Sequence, residues 1–334
     1  MRKLVVIILA ILDVLACIFL FFTYGPIDYF RTLLITTSMT TKSHHYLAKT
    51  LYEDKVIYEV MDSNYMEEIN ENTDLTAINI SKIEEQTKYD SIYEEQILSH
   101  EDEDIYKIIP LSGNGYKGYL VAIYDPSRIE LVTSQYLGQR GQMLQTIAKN
   151  ENALIAINAG GFADAGGVGN GGRPTGVLIK DSKIVYQGAD TGWGGGIVGF
   201  TKDNILMLFK GTALEAIEAG IEDAVDFGPF LIVNGKRSIA RGNGGYGISS
   251  RTAIGQRQDG IVLFIVIDGR QPGYSLGISM SELTDIFVRY RAYNAVNLDG
   301  GASSSLVQNG NIISKPCAIS ATGERWIPSA WIVK

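Results

Sequence analysis

Beyond residue 100 the chain contains no histidine, and beyond Cys17 its only cysteine is Cys317. These two shortages exclude Cys/His zinc sites, Cys-His dyads and Ser-His-Asp triads from the later chain, because each needs an imidazole or several thiolates. Two cysteines so far apart, one inside an apolar run, predict no internal disulfide and leave the redox compartment unread. Basic residues are scarce as well: 29 Lys and Arg stand against 37 Asp and Glu, a formal net charge of -8. The clustered cations that grip a nucleic-acid backbone are missing, so no nucleic-acid partner is expected, although a local basic pocket is allowed. Chemistry in the later chain falls to carboxylates, Arg, Lys, Tyr and backbone amides.

What the chain does have is apolar content, 46% of 334 residues, enough to bury a full core in one or two domains. Arg2 and Lys3 precede the apolar run Leu4 to Phe22, long enough to span a bilayer as a helix of roughly 20 residues. This reads as a signal anchor, with the positive charges in the cytoplasm and everything after Tyr24 outside, although Asp13 weakens insertion. The expected placement is a single-pass cell-membrane protein with an extracytoplasmic C-terminal domain. A cleaved signal peptide is the rival reading. Val14-Leu15-Ala16-Cys17 resembles a lipoprotein processing site, but the apolar Ile18 to Phe22 that follows fits one poorly.

Residues 25–104 read as an acidic extracytoplasmic stalk, rich in Glu67-Glu68, Glu84-Glu85, Glu94-Glu95 and Glu101 to Asp104. Leu47, Leu51 and Tyr58 recur at near-helical spacing, which predicts a short helix close to the membrane. From Ile105 charge thins, glycines accumulate, and short apolar runs end in Gly, Asn or Asp. Residues 105–334 are therefore expected to form an α+β, strand-rich mixed-sheet domain with a few packed helices. Candidate strands are Gly118 to Tyr124, Ile129 to Thr133, Leu154 to Ile157, Gly176 to Lys180, Ile205 to Phe209, Phe230 to Val233, Ile261 to Ile267 and Ala295 to Leu298. Candidate helices are Met143 to Asn150, Ala213 to Ala219, and one after Ser279, where Ser279 and Glu282 form a capping box ahead of the apolar stripe Leu283, Ile286, Phe287, Tyr290.

Two aspartates draw the chemistry together. Asp268 and Asp299 each follow the last apolar residue of a strand, with the Ser279 helix between, so parallel strands would bring both carboxylates to one sheet edge. The competing account is that Asp-Gly after a strand is a turn. Arg270 and Arg251 are candidate phosphate ligands, with surface ion pairs as their alternative. Gly300, Gly301, Ser303 and Ser304 lie in a run able to expose backbone N–H groups to an anion, without the Lys and spacing of a Walker loop or the Gly-x-Ser-x-Gly elbow. Asn158, ending its strand, either binds a sugar hydroxyl or completes a turn, and Gly166 to Gly172 reads as a loop, not a dinucleotide fingerprint.

Taken in order, Ala156 to Phe162, Gly228-Pro229-Phe230, Arg251 to Gly255, Asp268-Gly269-Arg270 and Asn297 to Ser304 resemble the phosphodiester glycosidase family, which includes the lysosomal mannose-6-phosphate uncovering enzyme. The resemblance spans roughly Ile105 to Lys334, and Glu324 and Arg325 also match a family pattern. It implies cleavage of the glycosidic bond of a sugar-1-phosphodiester, with a sugar-phosphate glycan or glycolipid as substrate and a role on exopolysaccharide or cell-envelope material. It further implies that Asn158, Arg251, Asp268, Arg270, Asp299, Gly300, Gly301, Ser303 and Ser304 surround the site; because phosphate is a good leaving group, Asp268 and Asp299 are expected as the catalytic carboxylate pair, with Arg251 and Arg270 neutralising phosphate. One departure is that Phe162 is followed by Ala163 where the family commonly has a second aromatic. No cofactor is required, although Asp and Asn side chains leave room for a divalent cation and with it a metal-dependent phosphodiesterase. The other alternative is a non-catalytic module that binds a cell-wall or exopolysaccharide glycan.

Overall fold

Six consecutive apolar residues make Val262–Ile267 a strand buried on both faces. Its alternation divides the molecule's interior: Leu263, Ile265 and Ile267 join one cluster, while Val262, Phe264 and Val266 join another. The computed structural model describes residues 2–41, 44–80, 89–164, 169–188 and 194–334 of the chain. The expected loop Gly166 to Gly172 lies partly outside them.

This strand belongs to a seven-stranded sheet ordered Lys236–Arg237, Phe230–Val233, Ala292–Asn297, Arg251–Arg257, Val262–Ile267, Tyr116–Ile123, Tyr106–Gly113. On one face lies helix Met280–Arg289, held by the Ser279/Glu282 capping box and burying Met280, Leu283, Ile286 and Phe287. Gly255 is required beneath it, since an added Cβ would stand 2.7 Å from the Phe287 ring. On the other face the sheet packs against two five-stranded sheets through a shared core centred on Phe264, Trp331, Phe230 and Phe200. One of these is ordered Asn311–Ile312, Leu306–Gln308, Ile155–Asn158, Ser329–Val333, Ile129–Thr133. Helices beside several sheets make the domain α+β.

Both Val262–Ile267 and Ala292–Asn297 pair antiparallel with Arg251–Arg257, so they run parallel to each other with that strand between them. Their C-terminal ends therefore reach the same sheet edge, where Arg251–Arg257 begins.

Among the described residues the chain begins with helices α1 (Arg2–Tyr24), α2 (Asp28–Met39), α3 (His45–Leu51) and α4 (Asp54–Ser63), and a further helix, Ile92–Leu98, comes before the seven-stranded sheet. Among the described residues α1 is the one helix long and apolar enough to cross a membrane, a property that a membrane anchor shares with a cleaved signal sequence. Its end is tied to the next helices, with the Tyr52 hydroxyl donating to the Thr23 carbonyl at 3.0 Å and Tyr24 to Leu51 at 2.8 Å. Helices α2 to α4 share a small core of Ile35, Ala48, Tyr52 and Ile57. Within the span expected as a stalk these helices dock on the later chain. Asn243 donates to Thr36 Oγ1 at 2.7 Å, and strand Tyr65–Glu67 pairs with Ile239–Arg241. Several acidic residues there have basic partners far along the sequence, Glu68 with Lys210, Glu71 with Lys236 and Glu94 with Arg291.

Gly247 makes a tight contact with α2. Its φ is +55°, and an added Cβ would sit 2.6 Å from the Thr37 Cα in α2. Gly247→Val combines strained backbone with a clash and is expected to cost about 1–3 kcal/mol. Thermal unfolding should show a lowered midpoint, and limited proteolysis should cut faster between residues 28 and 63; an unchanged cleavage pattern would show that this contact does not hold α2.

Candidate active site

At the shared edge three backbones converge on Ser250. Register pairs Arg251 with Ile267 and Ala253 with Asn297, so the residues following both flanking strands arrive beside the segment entering the central one. Gly301 N–H donates to the Ser250 carbonyl at 2.9 Å, and the Ser250 hydroxyl donates back to the Gly301 carbonyl at 2.7 Å. From the other side Gly269 lies so close that a Cβ would fall 2.3 Å from the Ser250 nitrogen. Asp268-Gly269 and Asp299-Gly300-Gly301 thus meet across one serine, and their glycines permit the approach.

Asp268 is 2% exposed. Its Oδ1 accepts the Lys315 backbone N–H at 2.8 Å and its Oδ2 accepts the Tyr274 hydroxyl at 3.0 Å. Burial raises its pKa despite these two donors and the nearby Lys315 charge. The same contact, together with burial, pushes the Tyr274 phenol up to about 12. The ammonium groups of Lys315 and Lys117 stand 4.2 and 4.9 Å from the Tyr274 ring centre, so cations border this carboxyl.

Arg270 adopts a left-handed backbone, φ +58°, which turns its side chain back along the edge. Its Nε donates to Ser249 Oγ at 3.1 Å, and its Nη2 would lie 2.7 Å from a Cβ added to Gly301. Solvent still reaches Arg270, yet surrounding protein lowers its pKa, an effect opposed by Cys317 and by the Asp299 charge. Arg251 lies deeper, 6% exposed, with Nε donating to the Ile278 carbonyl and Nη2 to the Tyr246 and Gly247 carbonyls. Burial, and then the charge of Arg270, pulls its pKa down to about 9. Arg251 thereby fastens the loop against which α2 packs, and it adds a second positive charge behind Arg270.

Asn158 joins the sheets rather than opening toward solvent. Its amide donates to the Asp299 carbonyl at 2.6 Å, while Oδ1 accepts from Thr252 Oγ1 at 2.8 Å and Ser305 N–H at 3.1 Å. Ser303 and Ser304 are buried in the turn after Gly301, and Ser304 Oγ finds no hydrogen-bond partner among the described residues. Glu324 and Arg325 belong to a neighbouring cluster. Glu324 Oε1 accepts the Gln145 N–H at the start of helix Leu144–Asn150, and Arg325 pairs with Asp164 while lying over the Phe162 ring. Among the described residues no group of three or more His, Cys, Asp or Glu is arranged to hold a metal ion.

Sequence reasoning missed Tyr274, Lys315, Lys117, Ser249 and Ser250. Tyr274 follows Arg270 closely, and a tyrosine in a turn after Asp-Gly-Arg was a usable signal. Lys315 reaches Asp268 from 47 positions away through a backbone N–H, for which no side-chain pattern exists.

This α+β framework gathers the carboxyls of Asp268 and Asp299 and the guanidinium groups of Arg251 and Arg270 on one edge, a candidate site. The chain belongs to the phosphodiester glycosidase family, whose profile matches residues 151–334. The SPbeta prophage-derived uncharacterized protein YomE of Bacillus subtilis (strain 168) is 30% identical over 199 residues, covering 57% of this chain and 30% of that protein. The N-acetylglucosamine-1-phosphodiester alpha-N-acetylglucosaminidase of Homo sapiens is 38% identical over 69 residues, 21% of this chain and 13% of that enzyme. The chain thus spans less than a third of the length of either relative. The catalytic domain of the zebrafish N-acetylglucosamine-1-phosphodiester alpha-N-acetylglucosaminidase, auto-inhibited by its pro-peptide, superposes with a TM-score of 0.56 at 20% identity, covering 70% of this chain and 85% of that one. The fold is shared. Strands Tyr106–Gly113 and Tyr116–Ile123, which precede the profile match, are integral to the seven-stranded sheet.

The raised pKa of Asp268 has a consequence for stability. A carboxyl whose pKa is higher in the folded than in the unfolded chain stabilises the fold below its unfolded value, about 3.9, and that contribution is lost as pH rises through the folded value. Asp268→Asn should therefore melt higher than the parent at neutral pH, with the gap closing as the pH falls toward 4. Melting curves across that range read the difference, and a gap that widens on acidification would reverse the assignment.

Proposed function

We propose that this protein hydrolyses the glycosidic bond of a sugar-1-phosphodiester, releasing free sugar and a phosphomonoester. The observation that carries the reading is the Arg270 guanidinium, exposed at the edge between Gly301 and Ser249, bordered by Asp299, and backed by the buried charge of Arg251. The charge of Arg270 disfavours that of the buried Arg251, and a phosphate entering beside Arg270 relieves this while gaining charge-assisted hydrogen bonds. The same phosphate is a leaving group that needs little protonation, so cation contacts can stand in for a strong general acid.

Water bonds to the anomeric carbon as the bond from that carbon to the phosphate oxygen breaks and its electron pair passes to the phosphate. Asp268, which burial makes a stronger base than an exposed aspartate, takes the proton from water. Asp299, beside Arg270, stabilises the positive charge that develops on the anomeric carbon. Gly300 and Gly301 leave room for the substrate at the edge, and Asn158, Arg251, Ser303 and Ser304 hold the loops that carry these groups. Helix α1 acts as a single-pass anchor with the domain outside the cytoplasm, so the substrate is a sugar-phosphate glycan or glycolipid of the cell envelope or exopolysaccharide. The ties from Thr23 and Tyr24 to α3 and the residue following it support its retention.

Asp268→Asn and Asp299→Asn should each lower the rate on a sugar-1-phosphodiester by about 10²–10⁴-fold, and Arg270→Ala should lower kcat/KM by about 10²–10³-fold. Hydrolysis in isotopically labelled water should place the label in the free sugar. Sugar 1-phosphate plus an alcohol would instead mark cleavage on the phosphorus side, and full activity in both aspartate variants would remove the catalytic assignment.

A further inference from the structure

The edge bearing Asp299 continues onto the neighbouring five-stranded sheet, because Asp299 N–H donates to the Ala159 carbonyl just past strand Ile155–Asn158. Two segments project beyond this edge: Ser134 to Gly141, continuing strand Ile129–Thr133, and Trp326 to Pro328, leading into strand Ser329–Val333. They are laced together. Ser134 N–H donates to the Pro328 carbonyl at 2.7 Å, and Trp326–Ile327 pairs with Gln142–Met143. Gly138 and Gly141 donate to the Gly172 and Asn170 carbonyls at 2.7 and 2.8 Å. The Gly171 backbone lies against the Trp326 carbonyl, where an added Cβ would be 2.1 Å away.

This rigid base presents an exposed surface of defined chemistry. Tyr136 and Trp326 are each 40% exposed, and the Arg140 guanidinium carbon stands 4.0 Å from the Tyr136 ring centre and 5.8 Å from that of Trp326. Arg173, on the adjoining segment, is also exposed. Neither arginine has a carboxylate within salt-bridge reach among the described residues, although the chain as a whole is acidic. Aromatic rings held rigidly in solvent offer flat apolar faces that suit the C–H face of a sugar, and guanidinium groups beside them suit a phosphate. The location fits as well. By strand geometry Trp326 lies roughly 10 Å beyond the edge at Ser329, and one to two strand spacings, about 5–10 Å, to the side of Asp299.

We infer that Tyr136, Arg140 and Trp326 form a distal subsite for the next sugar-phosphate unit of an anionic oligosaccharide, on the phosphate side of the bond that is cut. This rests on the reading of the Asp268/Asp299 edge as a sugar-phosphodiester hydrolase and adds that its substrate is a repeating chain. The enzyme holds that chain at two points, with chemistry at the edge and grip at the aromatic platform.

The test compares two substrates of the full-length protein in detergent: a sugar-1-phosphodiester with a methyl aglycone, and an oligomer of the same sugar linked through 1-phosphodiesters. Trp326→Ala and Arg140→Ala should each raise KM for the oligomer by about tenfold, leave kcat near the parent value, and leave kcat/KM for the methyl compound within about twofold. Trp326→Phe, which keeps a flat face, should recover most of the loss. Equal losses on both substrates, or no loss on either, would overturn the subsite. If the parent protein cuts neither compound, the hydrolase reading fails by itself. Equilibrium titration of the oligomer then decides the subsite: weaker binding by Trp326→Ala than by the parent supports it, and equal binding overturns it.

Discussion

One buried amide governs the geometry of the site. Asn158 ends a strand of one sheet, donates to the Asp299 carbonyl, and accepts from Thr252 in the central strand of another sheet and from Ser305 in the following turn. These three bonds tie two sheets together where their edges meet. A buried polar group satisfied at both ends stabilises only if all its partners remain in place, which makes the junction strongly cooperative. Asp299, Gly300 and Gly301 inherit their positions from it.

The charges around this junction lie where they are energetically disfavoured. Asp268 is desolvated, and Arg251 is desolvated and faced by the like charge of Arg270. Such groups persist only when a rigid surround over-determines them, and here the surround consists of fully buried strands on either side of Arg251–Arg257 and the capped helix Met280–Arg289. The early helices contribute to the same end. Through Thr36, Thr37 and the tight contact at Gly247, α2 braces the loop whose carbonyls hold Arg251.

Much of the architecture could be read from pattern alone. Strands Ile129–Thr133 and Phe230–Val233 occupy the expected residues, and helix Met280–Arg289 begins at the expected capping box, because apolar runs and caps are local signals. The central strand Arg251–Arg257 is not among the expected strands. Arg251, Thr252, Gln256 and Arg257 are all buried there, with their polar atoms satisfied by distant carbonyls and side chains, and that reverses the usual sign of the hydrophobic signal. Strands Gly196–Thr201 and Ile221–Phe227 were missed as well; Gly199 weakens the signal in the first, and Glu222, Asp223 and Asp226 break up the second. In the span of acidic residues before the sheets, composition suggested a solvated spacer, since partners such as Lys210 and Arg291 lie more than a hundred positions away.

By itself the sequence determined the local chemistry: an apolar N-terminal helix, an α+β domain free of histidine in its later part, and Asp-Gly turns after two buried strands. These follow from side-chain composition and short-range periodicity, which act within a few residues. Tertiary structure alone decided that a third strand lies between those two, that Arg270 turns toward Gly301 while Arg251 is consumed by carbonyls, and that Tyr274 and Lys315 close around Asp268. The physical reason is that burial and hydrogen bonding between segments far apart in the chain are properties of the packed molecule, and no local run of residues encodes them.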